Sequence, residues 1–351
     1  MISEVAHKTI IRKDKQSVIN EVSRVMCLAN WNRHIKGPKI FIKVNLLSNQ
    51  LVPGQCTSPW VLEGVLKELK QLNAEICVGD ADVATSRQAQ DAAQKWGIIE
   101  VCDKNNAKFV NLSNRPTKQI NVGGHIFTNV ELPDVIADAD SIITIPVIKT
   151  HNVTIMTCAL KNQWGCMPRF RHQFHPVAHK AIPEINVAVK VNFVVADGTV
   201  CMEGTGPRVG VPKVMNSVFA THDLVAMDTV AAVFMGINPK KVGYIQNAKK
   251  IGLGSTDYRI IGDELIPEKF KSAKLENQPI VLVEMFLRRI PLLKYFIFKT
   301  PFFKIPAWFA AKYNSFFWYN LKGKRHARKI VDKYPLYRKE FLELLKRIRK
   351  Y

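Results

Sequence analysis

Paired cysteines at metal-site spacing are missing from this 351-residue sequence, whose seven cysteines (Cys27, Cys56, Cys77, Cys102, Cys158, Cys166 and Cys201) lie scattered. No two of them show the two-residue gap used by zinc ribbons, ferredoxins and thioredoxin-like sites, so a ferredoxin-type iron–sulfur cluster is not expected. An odd number of scattered thiols points to reduced, mostly buried cysteines in a cytoplasmic protein. Met1 to Lys8 offers no apolar stretch of signal-peptide length, which also favours the cytoplasm. There is no Walker-type phosphate loop and no dinucleotide fingerprint.

Acidic residues are also scarce. The chain has 29 Asp+Glu against 51 Lys+Arg, a formal charge of +22. Residues 271–351 hold 20 of the bases and 5 of the acids, a net of +15, which leaves +7 for residues 1–270. Of the 32 aromatic residues, 13 fall between Val281 and Asn320. We therefore divide the chain into an α/β domain at 1–270 and a basic, aromatic-rich helical extension at 271–351.

The hydrophobic content, 47% of residues, excludes a disordered chain and is ample for a core. Through residue 270 the pattern alternates between strand and helix. Lys39–Leu47 is β-rich, and Ser58 with Pro59 has the residue types of a helix N-cap and first position. Further strands are read at Ala74–Val78, Lys108–Leu112, Ser141–Val147, Phe193–Ala196 and Val214–Thr221, with helices near Arg87–Trp96 and over Leu224–Met235. The continuous apolar run Ser141–Val147 predicts a strand buried on both faces. The expected fold is thus α/β, with a mostly parallel central sheet flanked by helices.

In such sheets ligands gather beyond the strands' carboxyl ends. The polar residues expected there are Asn45, Asp80, Lys149, His151 and Asp197. Lys43, Lys149 and Lys161, with Asn45 and Asn162, are the groups expected to hold an anionic small molecule; Lys149 and Lys161 as two solvated surface lysines is the alternative. His151, His172, His175 and His179 place four of the nine histidines within residues 151–179. Either they shuttle protons, or His151, His175, His179 and Asp197 ligate a divalent metal, or they are loop residues beside Arg169 and Arg171. Pro176 argues against one continuous helix through them. The glycine-rich stretch Glu203–Gly210, with Gly204 and Gly206, reads as either a ligand-wrapping loop or a tight turn. Asp223 suits a helix cap, whereas Asp228 sits in an apolar run and, if buried, requires a partner.

These residues resemble the family catalogued as domain of unknown function 362. The matching series is Ile42-Lys43-Val44-Asn45-Leu46, Thr57, Val78-Gly79-Asp80, Ala139-Asp140, Ile145-Pro146 with Lys149-Thr150-His151, and Ala159-Leu160-Lys161-Asn162 with Gly165. It continues through His175 or His179, Val195-Ala196-Asp197-Gly198, Met202-Glu203-Gly204, Gly206-Pro207, Gly210, His222-Asp223, Asp228 and Gly252-Leu253-Gly254, covering residues 39–263. The resemblance implies an α/β domain with these polar residues around one site, and it assigns no reaction. Some relatives carry a ferredoxin-like segment that is lacking here. The usual Pro-Lys-Leu-Lys-Thr-His stretch reads Pro146-Val147-Ile148-Lys149-Thr150-His151, one lysine fewer.

Two functions follow as expectations. One is an enzyme acting on an anionic small molecule, with His151, His175, Asp197 and Glu203 as acid/base groups and Lys43, Asn45, Asp80, Lys149, Lys161, Asn162, Gly204, Gly206 and Asp228 holding the substrate. The other is a non-catalytic scaffold that docks through its extension. Between Pro279 and Lys322 the longest uncharged run is nine residues, Tyr313–Leu321, too short to span a bilayer. Lysines interleaved with large apolar groups over residues 281–329 suit either a membrane surface or packing on the domain. Nucleic acid is not expected, since no recognition motif accompanies the basic residues.

Overall fold

The computed structural model describes residues 2–11, 14–83, 89–273, 286, 290 and 304–333. Twelve strands occur among them: β1 (Ser3–Thr9), β2 (Lys39–Lys43), β3 (Glu75–Asp80), β4 (Ala107–Asn111), β5 (Thr117–Asn121), β6 (Asn129–Pro133), β7 (Ser141–Thr144), β8 (Val147–His151), β9 (Ile155–Thr157), β10 (Phe193–Glu203), β11 (Val211–Thr221) and β12 (Tyr258–Gly262). Ten form one sheet in the order β12-β1-β11-β10-β7-β2-β3-β4, with β8 joined to β10 and β9, while β5 and β6 pair separately. Six of the nine pairings in the large sheet are parallel; β11 runs antiparallel to both β1 and β10, and β9 to β8. The mostly parallel α/β sheet expected from the alternation is what the chain forms.

The first helices are α1 (Lys15–Leu28), α2 (Pro59–Leu69), α3 (Ala89–Lys95), α4 (Ile98–Lys104) and α5 (Asp134–Ala137). Then come α6 (Ala159–Asn162), α7 (Ala178–Val189), α8 (Leu224–Phe234) and α9 (Gly243–Lys250). A basic extension follows as α10 (Lys304–Tyr313), a π-helical stretch (Asn314–Gly323) and α11 (Lys324–Lys333). Local chemistry fixes several starts. The Ser58 hydroxyl accepts from the Trp60 amide ahead of Pro59, and Asp223 accepts from the amides of Val225 and Ala226 at the head of α8.

Alternate residues of β2 divide between two cores. Ile40 and Ile42 join α1 and α2 on one face, and Phe41 joins the α6 to α9 layer on the other. Burial on both faces is why these strands read as continuous apolar runs. Ala327, Ile330 and Val331 of α11 sink into the first core, so this part of the extension packs on the α/β layer. Among the described residues no helix is long and apolar enough to cross a membrane. Of the membrane segment expected at 281–329, residues 281–285, 287–289 and 291–303 lie outside the described residues.

Two expectations need correction. The apolar run at 141–147 is not one strand: β7 ends at Thr144, Ile145 and Pro146 interrupt, and β8 begins at Val147. Proline has no N–H for a ladder, and its ring fixes φ, so the chain changes partner there. Lys149, Thr150 and His151 consequently lie in a strand and not in an exit loop. Asp197, Gly198 and Thr199 likewise lie inside β10, which runs to Glu203 and was expected to end at Ala196.

Candidate functional site

Parallel pairing of β2 with β3 and β7 brings Lys43, Asp80 and Thr144 to neighbouring strand ends. The Lys43 ammonium donates to the Val44 carbonyl at 2.6 Å and meets Asp80 Oδ1 at 2.8 Å, both side chains buried. Asp80 also accepts from the amides of Leu46 and Ala81, at 2.6 and 2.7 Å. Gly165 is pressed onto this pair: a Cβ there would sit 2.8 Å from Asp80 Oδ1 and 3.0 Å from Lys43 Nζ. A side chain at 165 would therefore drive the ion pair apart.

Beside it, Lys149 on β8 donates to Asn45 Oδ1 at 2.5 Å and to the Gln55 carbonyl at 2.8 Å. Asn45 donates in turn to Asn162 Oδ1 at 3.1 Å, and Asn162 donates to Thr144 Oγ1 at 2.8 Å and to the Lys43 carbonyl at 3.3 Å. Thr57 receives the Asn45 amide and donates to the Ile145 carbonyl, each at 2.8 Å. Lys43, Asn45, Asp80, Lys149 and Asn162 thus belong to one connected network. Burial lowers Lys149 to a pKa of about 8, against the opposing attraction of Cys56, Asp80 and Asp197.

Lys161 occupies the third turn position of α6, 8% exposed, with its ammonium 5.4 Å from the centroid of the Trp164 ring. Among the described residues no carboxylate pairs with it. Burial, followed by repulsion from Lys149 and Arg171, lowers its pKa to about 7. His151 is buried as well, and its Nδ1 accepts from the amides of Val153 (3.0 Å) and Thr154 (3.4 Å). That bonding assigns the proton to Nε2 and makes the ring a neutral donor. Burial, then Lys161, Lys149 and His179, keep its pKa well below the usual histidine value.

The other histidines stand at the edge of this group. His175 stacks on Trp164 at 5.4 Å and meets His172 edge-on at 4.2 Å, while His179 lies parallel to Tyr244 at 6.3 Å. Its Nδ1 is buried without a hydrogen-bond partner among the described residues. Residues 169–177 form a 3-10 stretch leading into α7, with Pro176 inside it, so a single α-helical face does not unite His172, His175 and His179.

The structure separates several residues that the sequence had grouped. Asp197 Oδ2 accepts from the Ser58 amide at 2.8 Å and Oδ1 from the Thr199 amide and hydroxyl at 3.0 and 2.6 Å. It borders a small cleft of about 30 Å³ lined by Cys56, Ser58, Trp60, Trp96 and Thr199. Burial raises its pKa despite those bonds. Glu203 faces elsewhere, accepting from the Lys271 amide at 3.1 Å with Lys213 at 3.9 Å. Among the described residues no three His, Cys, Asp or Glu side chains gather as a metal ion would need, so His151, His175, His179 and Asp197 do not form a ligand set. Of the glycines, Gly204 accepts from the Thr150 hydroxyl at 2.9 Å, and a Cβ on Gly206 would collide with the Thr150 carbonyl. The loop is thus tied to β8 by close backbone contact.

Asp228 has the partners its burial demands. Its Oδ1 accepts from the amides of Ala159 and Leu160, at 2.6 and 3.3 Å, and so holds the first turn of α6, the turn that carries Lys161 and Asn162. Burial raises its pKa to about 7, and the Tyr244 hydroxyl lies beside it without completing a bond of normal geometry. Asp228 therefore positions the site from beneath. Sequence reasoning missed Gln55, Trp164, Arg171 and Arg208. Arg171 is buried and donates to the carbonyls of Met167 and Asp82, at 2.9 and 2.6 Å. Arg208 accepts a bond from Gln55 on its carbonyl at 2.6 Å, and its Nε is buried without a partner among the described residues. The one available signal was the position of Arg208 in the glycine-rich stretch.

The model of the family described as Domain of unknown function (DUF362) matches residues 40–233. A thylakoid-associated protein of Synechocystis sp. is 24% identical over 229 residues, 63% of this chain and 70% of that protein. Among solved structures, the lactate racemase apoprotein from Thermoanaerobacterium thermosaccharolyticum shares 14% identity at a TM-score of 0.41, over 72% of this chain and 57% of that one. A protein from Thermotoga maritima shares 14% identity at a TM-score of 0.35, over 54% of this chain and 50% of that one.

Proposed function

The chain belongs to the DUF362 family, and from that premise we propose that the network of β2, β8 and α6 binds a small carboxylate or phosphate and presents it to the His151 imidazole. The single observation carrying this reading is Lys161, a buried ammonium with no carboxylate partner among the described residues. Burying an uncompensated cation is costly unless an anion completes it. Lys149 and Lys161 supply the charge, Asn45 keeps one side-chain N–H to offer an oxygen, and Asn162, whose own N–H groups are bound to Thr144 and the Lys43 carbonyl, holds Asn45 in place. His151 Nε2–H is a hydrogen-bond donor of fixed direction, since a neutral imidazole held by two amides on Nδ1 has its tautomer set. An anion here would raise both lysine pKa values and release the strain of their like charges.

The test is a titration of the full chain with inorganic phosphate and a series of small carboxylates, followed by thermal shift and calorimetry. Binding is expected to weaken as pH rises past about 7 and further past about 8, because Lys161 and then Lys149 lose their protons. Lys161→Met should abolish it while the protein stays folded. Full retention of anion binding by that variant would refute the reading.

A further inference from the structure

The extension carries an unburied face that the anion site does not use. Ile305, Trp308, Phe309, Phe316, Phe317 and Leu321 are each between 53% and 67% exposed. Trp308 and Phe309 lie edge-on at 5.0 Å, as do Phe316 and Phe317 at 5.4 Å, so these rings contact one another while keeping more than half their surface in water. That is a large apolar area for a protein to leave uncovered.

Charge surrounds this face in a particular order. Residues 304–331 contain seven Lys and Arg and no Asp or Glu. The aromatic part holds few cations: Lys312 lies over the Trp308 ring at 5.6 Å. The dense run follows it, with Lys322, Lys324, Arg325, Arg328 and Lys329 all exposed. Meanwhile Ala327, Ile330 and Val331 of α11 are buried in the first core, so the basic run and the aromatic face before it are tied to the folded domain.

We propose that residues 304–329 dock the protein on an anionic lipid bilayer, the aromatic side chains entering the interface and the Lys/Arg run meeting the headgroups. Apolar groups in one segment and cations in the next match a bilayer, whose apolar and anionic layers are likewise separate. Stacking single-stranded bases calls for free ring faces spaced along a cationic groove, whereas these rings engage one another, Trp308 with Phe309 and Phe316 with Phe317 edge-on and Tyr313 with Phe317 stacked, in a stretch of few cations. A second copy of the chain would bring one basic run against another.

The experiment is cosedimentation of the full chain with vesicles of phosphatidylcholine alone, or mixed with an equal part of phosphatidylglycerol, at low and high salt. The wild type should partition to the mixed vesicles at least about tenfold better than to the neutral ones, and less at high salt. The variant W308A/F309A/F316A/F317A and the variant K322E/K324E/R325E should each lose about tenfold or more of that partition. Their melting temperatures should not move, because every substituted side chain is solvent-exposed. Absence of wild-type binding to the mixed vesicles overturns the proposal, as does equal binding by the aromatic variant. So does a patch-dependent dimer, or oligonucleotide binding, found without vesicle binding.

Discussion

Lys43 and Lys161 are buried lysines of the same polar region, yet Lys43 meets Asp80 at 2.8 Å while Lys161 lies 5.4 Å from a tryptophan ring and, among the described residues, pairs with no carboxylate. At the Lys43 end every charge is answered inside the protein: the carboxylate takes two amides, and the ammonium takes a carbonyl as well. At the Lys161 end, Lys149 and Arg171 both repel the Lys161 ammonium, and among the described residues no carboxylate pairs with Lys161. The first arrangement holds strands β2 and β3 in place, and the second is the one for which we propose an anion from solution. The contrast separates structural from receptive charge within one molecule.

The strongest way to break the contrast is Asp80→Ala. It strands the Lys43 ammonium and two backbone amides, and the expected loss is about 3–5 kcal/mol in urea unfolding. A loss below about 1 kcal/mol would place Lys43 and Lys161 in the same class. Next comes Asp228→Ala, which frees the Ala159 and Leu160 amides at the head of α6. It should lower stability by about 1–3 kcal/mol and weaken anion binding through displaced Lys161, whereas Asp228→Asn should recover part of both. Lys161→Met should go the other way, leaving stability equal or raising it by up to about 2 kcal/mol at neutral pH, because an uncompensated buried cation is removed.

The smallest effect sharpens the contrast through pH. Lys161 is depressed to about 7 in the folded chain and returns to the ordinary lysine range on unfolding. Between those values the unfolded state holds more protons, so wild-type stability should rise with pH from about 7 upward and be independent of this group below it. One such group contributes at most about 1.4 kcal/mol per pH unit. Lys161→Met should flatten that part of the profile, and an unchanged slope in the variant would argue that Lys161 is not suppressed.

Much of the scaffold was legible because local chemistry dictates it. Ser58 with Pro59 announced α2, and the alternation of strand and helix gave the parallel sheet. Asp228 was recognisable as an acid in an apolar run that needed a partner, but nothing nearby in the chain named the Ala159 and Leu160 amides, 69 and 68 positions away. Gln55 and Arg208 are 153 apart, so their bond has no local signature. Pro146 was a readable break in the Ser141–Val147 run, and the apolar continuity on both sides obscured it. Glu203 looked like a site residue from its glycine-rich neighbourhood, yet register turned it toward Lys213 and Lys271.

One strand governs how the two ends of the cluster stand relative to each other. β10 pairs with β7 at Phe193 and Val194 and then with β8 at Asp197 and Met202, with a shift of register between the last two. It acts as a ruler laid along both segments, with β7 marking the level of Lys43 and β8 that of Lys149. Adding or deleting a single residue between Val194 and Met202 would slide one scale past the other and invert the facing of every side chain beyond the change. The spacing of two lysines from distant parts of the chain is thereby written into the length of a third segment that carries neither.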